Sequence, residues 1–169
     1  MKSLRSLFLL TMAATVVQAD EPAGPPRPEV QIAGALAAAP EDRREEARVL
    51  GYDASGELVE LREGSNDLVC LADEPGDERF HVACYHVSLE PYMRRGRELR
   101  AAGATGPESI EQRHREAEAG ELEMPAAPAS VYNLGGPLEI FDAESGAVSG
   151  GSYLWAIYTP YADEASTGL

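Results

Sequence analysis

The chain has 169 residues, with 14 basic and 29 acidic side chains and a formal net charge of −15. A surface this acidic repels phosphate backbones and anionic headgroups, which excludes nucleic acid and the membrane surface as natural partners. With one Trp, three Phe and seven Tyr, the core must come mainly from Leu, Val, Ile and Ala.

The N-terminus carries Lys2 and Arg5, then the uncharged run SLFLLTMAATVV and a small-x-small ending at Ala19. This is the layout of a secretory signal peptide, with cleavage expected after Ala19. The apolar run is well short of the ~20 residues that cross a bilayer. No second run of that length follows, so no membrane insertion is expected after cleavage. The absence of a cysteine at the cleavage point argues against a lipoprotein. The expected organisation is residues 1–19 as signal peptide, 20–28 as a Pro-rich disordered lead and 29–169 as a single domain in the periplasm or the medium. Lys2 is the only lysine, so the mature chain has none for Schiff-base chemistry.

Residues 29–39 read as a helix from the spacing of Val30, Ala33, Leu36 and Ala37, ended by Pro40. A charged connector, EDRREEA, follows. The runs ARVLGY and ELVELR flank DASG, which is a hairpin signal. LVCLA and RFHVACYH are further strands on either side of the turn DEPGDE, so residues 47–86 predict a four-stranded antiparallel unit. Ser88 is placed to cap a helix with Pro91 in its first turn, a core stripe of Leu89, Tyr92, Met93 and Leu99, and Gly103 as its stop. Thr105 and Glu108 form a capping-box pattern opening a second helix to about Ala119, expected to be largely exposed because only Ile110, His114 and Ala117 line one side. SVYNL and PLEIF read as short strands, and GGSYLWAIYTP as a longer one holding Trp155. The predicted class is α+β: a small, mainly antiparallel sheet with two to three helices on one face and one disulfide.

Two cysteines in a small exported domain usually pair, and closing the separation from Cys70 to Cys84 would stabilise the fold by ~3 kcal/mol. Cys84 stands between His81 and His86, which raises a metal site as an alternative. A disulfide removes the thiolate, and in an extended strand the two imidazoles point to opposite faces, leaving His81 and His86 as weak metal candidates. As catalytic residues His86, Glu90 and Asp73 are equally weak. Ser88 lies nearby, but no G-x-S-x-G elbow surrounds it and no cofactor-binding loop is present, so no cofactor is expected. Arg94, Arg97 and Arg100, at i, i+3 and i+6, are candidates for gripping a carboxylate or phosphate. The alternative for them is a solvated face with a Glu90–Arg94 pair.

The stretch from Leu61 to Gly103, with the run Arg62, Gly64, Ser65, Asn66, then Cys70, Asp73 and Cys84, resembles a group of uncharacterised exported bacterial proteins. The late YTPYADEASTGL is also similar to that group, and the resemblance spans roughly half of the mature chain. It implies export and a structural disulfide, and no activity. Two departures stand out. Similar sequences carry an aromatic residue shortly before the first cysteine, where this chain has Asp67, Leu68 and Val69. They also continue beyond Ser-Thr-Gly-Leu, which predicts that a C-terminal strand is missing here. The expected function is a non-catalytic binding or interaction domain with an unknown protein or small-molecule partner. The alternative is a small periplasmic hydrolase or metal-dependent enzyme using His86 with a nearby carboxylate.

Overall fold

A computed structural model describes residues 24–168. The expected signal peptide lies outside these residues. Residues 24–27 have no regular structure, and Pro28 is already the first residue of helix α1 (Pro28–Leu36), where its missing N–H costs nothing. Six strands form one sheet in the order β2-β1-β3-β4-β5-β6. β1 (Arg48–Tyr52) and β2 (Leu58–Arg62) are the expected hairpin. Its turn is fixed by Asp53, whose Oδ1 accepts the Ser55 N–H at 2.8 Å, while the Gly56 N–H donates to the Asp53 carbonyl at 2.9 Å.

β3 (Leu68–Leu71) corrects the all-antiparallel reading of residues 47–86, because it runs parallel to β1 on the side away from β2. Since β2 already occupies one side of β1, the chain must cross over the start of β1 to reach the other. β4 (Phe80–His86) returns antiparallel to β3, and β5 (Ala129–Gly136) and β6 (Ser152–Tyr158) continue antiparallel from it. The sheet is therefore mainly antiparallel, as predicted. The expected strand PLEIF is instead a 3-10 turn over Leu138–Ile140, and Phe141 makes only a single bridge to Val148. Pro137 offers no donor there, and Phe141 turns inward to stack on Phe80 at 4.9 Å between ring centroids.

The helices divide between the two faces of the sheet. α1 covers the face formed by Val49, Leu68, Cys70, Val82 and Cys84, and its buried side is Val30, Gly34 and Ala35; Ala33 of the expected stripe is exposed. Buried Gln31 pins it to β1, donating to the Tyr52 carbonyl at 2.8 Å and accepting the Tyr52 N–H at 2.8 Å. The opposite face, with Leu50, Val69, Tyr85 and Val131, is covered by α2 (Glu90–Ala101), with α3 (Gly106–Glu118) packed on α2. A hydrophobic stripe tells a helix to lie on a sheet without saying on which side, so the expectation of a single covered face holds for α2 and α3 alone.

The capping box of α3 forms as read, with Thr105 and Glu108 each bonding the other's backbone N–H. The expected cap of α2 does not. Ser88 falls in a 3-10 turn, Val87–Leu89, and the His86 side chain accepts the Ser88 N–H instead. A short helix α4 (Glu164–Thr167) follows β6.

Candidate functional site

Cys70 and Cys84 are register partners on β3 and β4 and are joined in a disulfide beneath α1, with Cys84 Sγ 3.4 Å from the Ala35 carbonyl. Both are fully buried, so neither sulfur is offered to a ligand. His81 and His86 project from opposite faces of β4. Among the described residues, no group of three or more His, Cys, Asp or Glu is arranged to hold a metal ion.

His86 has a carboxylate partner, but neither of the two expected. Asp73 lies at the other end of β3, where its Oδ1 accepts the His81 N–H at 2.7 Å. Glu90 faces the opposite side of the sheet, accepting Tyr85 Oη at 2.6 Å and Arg97 at 2.7 Å. The partner is Asp67, 3.2 Å from His86 Nε2, while Ser88 Oγ is 2.7 Å from Nδ1. Nδ1 also accepts the Ser88 N–H at 3.2 Å, so the proton of a neutral ring sits on Nε2 and is donated to Asp67. Asp67's own amide, with the Arg43 and His86 charges, holds its carboxyl below the usual carboxylate range. The serine–histidine–aspartate chain is thus complete in its hydrogen bonds. It is also a local device: His86 and Ser88 are two residues apart, and the imidazole closes the 3-10 turn into α2.

The run Arg62, Gly64, Ser65, Asn66 is occupied by the chain crossing. Arg62 donates to the carbonyls of Arg44 at 2.6 Å and Ala47 at 2.7 Å. The N–H groups of Ser65 and Asn66 both donate to the Glu46 carbonyl. Asn66 Nδ2 donates to the Arg43 carbonyl at 2.8 Å, and its Oδ1 accepts the Leu68 N–H at 2.9 Å. Gly64 passes so close over the Arg48 backbone that a Cβ would overlap it. These residues clasp the β2–β3 connection onto the start of β1.

The three arginines part company. Arg94 is exposed and reaches only Glu98, at 3.8 Å, and the Glu90–Arg94 pair does not form. Arg97 is largely buried between Glu90 and Tyr85. The Arg100 guanidinium forms no hydrogen bond or ion pair among the described residues, and with Arg97 it lines a cleft between α2 and the sheet.

β6 is the feature that sequence reasoning passed over. YLWAIY is a continuous apolar run, the pattern of a strand buried on both faces. Here it forms the edge of the sheet, and although Ala156 and Tyr158 are half-buried against the core, its other large side chains are exposed: Tyr153 is 58% exposed, Leu154 64%, Trp155 71% and Ile157 70%. The other edge, β2, carries Glu60 and Arg62, and Glu60 is ion-paired to Arg48. Edge charges of that kind block pairing with another chain, and β6 has none. The alternation expected of a half-covered strand is the only sequence signal that separates the two cases, and β6 lacks it. No family model, curated protein or solved structure matches this chain.

Proposed function

We propose that the protein is exported and serves as a non-catalytic interaction module that takes up an extended strand of another polypeptide along β6. The observation that carries this reading is the uncharged edge strand, unpaired on its outer side among the described residues, with four large apolar side chains exposed to water. Main-chain hydrogen bonds to its free edge supply affinity, and side chains alternating to the two faces supply selectivity. The net charge of −15 favours a partner segment with flanking basic residues. Export rests on the tripartite N-terminus and on the disulfide, which persists in oxidising compartments.

The test is a photo-crosslinking residue placed at Ile157 in protein made by an exporting host, with the same residue at Glu60 as the control edge. An adduct to a polypeptide at position 157, absent at position 60, is the expected result. Equal labelling at both edges, or none at 157, removes the proposal.

The hydrogen-bonded chain Ser88–His86–Asp67 favours a second reading, a small hydrolase with Ser88 as nucleophile and His86 as base. It requires ester or amide turnover that is lost in both Ser88→Ala and His86→Ala. Turnover retained in Ser88→Ala, or none in the unaltered protein, eliminates it.

A further inference from the structure

We infer that a second site, a cavity of about 270 Å³ between α2, α3 and the β4–β6 part of the sheet, binds a small organic carboxylate with an apolar body. Arg113 of α3 lines this cavity. This side chain is only 7% exposed. Its Nε donates to the Ser109 carbonyl at 3.2 Å and its Nη1 to the Tyr92 carbonyl at 3.3 Å, and the guanidinium lies 4.1 Å from the centre of the Tyr92 ring. Among the described residues, no carboxylate lies within ion-pairing distance of it. A buried charge without a counter-ion is costly, and a guanidinium cannot shed its proton to escape that cost. In a chain with 29 acidic residues, a counter-ion was available and was not used.

The cavity that Arg113 lines has the same bias. Arg97, Arg100 and His81 also face it, and no Asp or Glu is among its lining residues. Arg97 is neutralised by Glu90, which leaves Arg113 and Arg100 as the free positive charges at the wall. The opposite wall is apolar, built from Leu71, Ala83, Met93, Val131 and Ala156. Acidic groups enter only in the adjoining cleft, where Glu57, Glu74 and Asp77 stand. These would turn an anionic head away from that mouth and toward Arg113. An apolar cavity of about 150 Å³ holds a benzene ring, so the present one accommodates a ring or branched chain together with one carboxylate.

The seat of Arg113 is built into the helix pair. Gly96 of α2 leaves the space in which the guanidinium rests, since a Cβ there would lie 2.9 Å from its Cζ. Ser109, one turn before Arg113 on α3, donates to the Gly96 carbonyl at 3.4 Å and fixes the approach of the two helices.

The test is NMR titration of the uniformly labelled protein with benzoate and with hexanoate, using benzyl alcohol and inorganic phosphate as controls. Both carboxylates are expected to give saturable shifts at Met93, Arg113 and Val131, with neither control doing so. Arg113→Gln is expected to abolish saturation. Arg100→Gln, at an exposed position whose loss leaves the fold intact, is expected to weaken binding about tenfold, the size of one charge-assisted hydrogen bond. Equal shifts with benzyl alcohol, saturation by phosphate alone, or undiminished carboxylate binding in Arg100→Gln would each overturn the inference.

Discussion

The hydroxyl of Tyr85 donates to the carboxylate of Glu90 across 2.6 Å. Arg97 binds both, reaching Glu90 at 2.7 Å and Tyr85 Oη at 3.1 Å. Burial pushes the Tyr85 hydroxyl well above its ordinary range, so it remains a donor at any ordinary pH. The three side chains fasten α2 to β4. Tyr85→Phe is expected to cost about 1 kcal/mol, one hydrogen bond. Glu90→Gln should cost about 2 kcal/mol, because it leaves a mostly buried guanidinium without its counter-ion. Urea denaturation checks the order: a larger loss for Tyr85→Phe would show that the ion pair contributes little.

Replacing both Cys70 and Cys84 by alanine removes the bond between β3 and β4. The expected loss is about 3 kcal/mol, close to the loop-closure value for this separation. Denaturation of the oxidised protein, the reduced protein and the double variant should place the last two together. A reduced protein as stable as the oxidised one would mean that strand pairing alone holds this part of the sheet.

Asp73 is pushed up to about 6 by burial, with Asp77 and Glu74 adding to the shift, against the opposing hydrogen bond from the His81 N–H. Its folded-state value lies above its unfolded one, so ionisation disfavours the fold. Stability from this group is full below pH 3.8 and falls as pH rises through about 6. Asp73→Asn keeps an acceptor for His81 and removes the titration. Its melting temperature should exceed that of the unaltered protein at pH 7 and the gap should close toward pH 4. A pH-independent gap would place the effect elsewhere.

At the chain crossing, Gly64→Ala forces a Cβ into the Arg48 backbone, which has no flexible side chain to yield. The expected cost is about 3 kcal/mol or more, in the range of overpacking and backbone strain. Asn66→Ala loses two hydrogen bonds and should cost about 2 kcal/mol. Chemical denaturation of the two variants gives the comparison, and a neutral Gly64→Ala would mean that the crossing can widen.

Where the sequence was legible, the information was local. The Asp53–Gly56 turn, the Thr105–Glu108 box and the pairing of the only two cysteines depend on neighbours in the chain or on a count. The side of the sheet on which α1 lies, the parallel run of β3 beside β1 and the edge position of β6 depend on topology, which no local pattern encodes. Ser88 lost its expected role because it lies inside the 3-10 turn before α2, where its own N–H is accepted by His86 Nδ1, and Leu89 stands at the N-cap instead. Arg113 was missed for a related reason. Ile110, the one large apolar residue of α3, turns outward, and the side that packs on α2 is polar, with Ser109 and Arg113 set against Gly96. A search for hydrophobic stripes passes over such an interface.

The clasp at residues 62–66 has one more consequence. Its polar groups are used to hold one segment of backbone across another, so in this chain the run serves topology. Two chains that share it would share the placement of β1 between β2 and β3. They need have in common neither an open β6 nor an arginine in the cavity between α2 and α3, because both features lie outside the clasp.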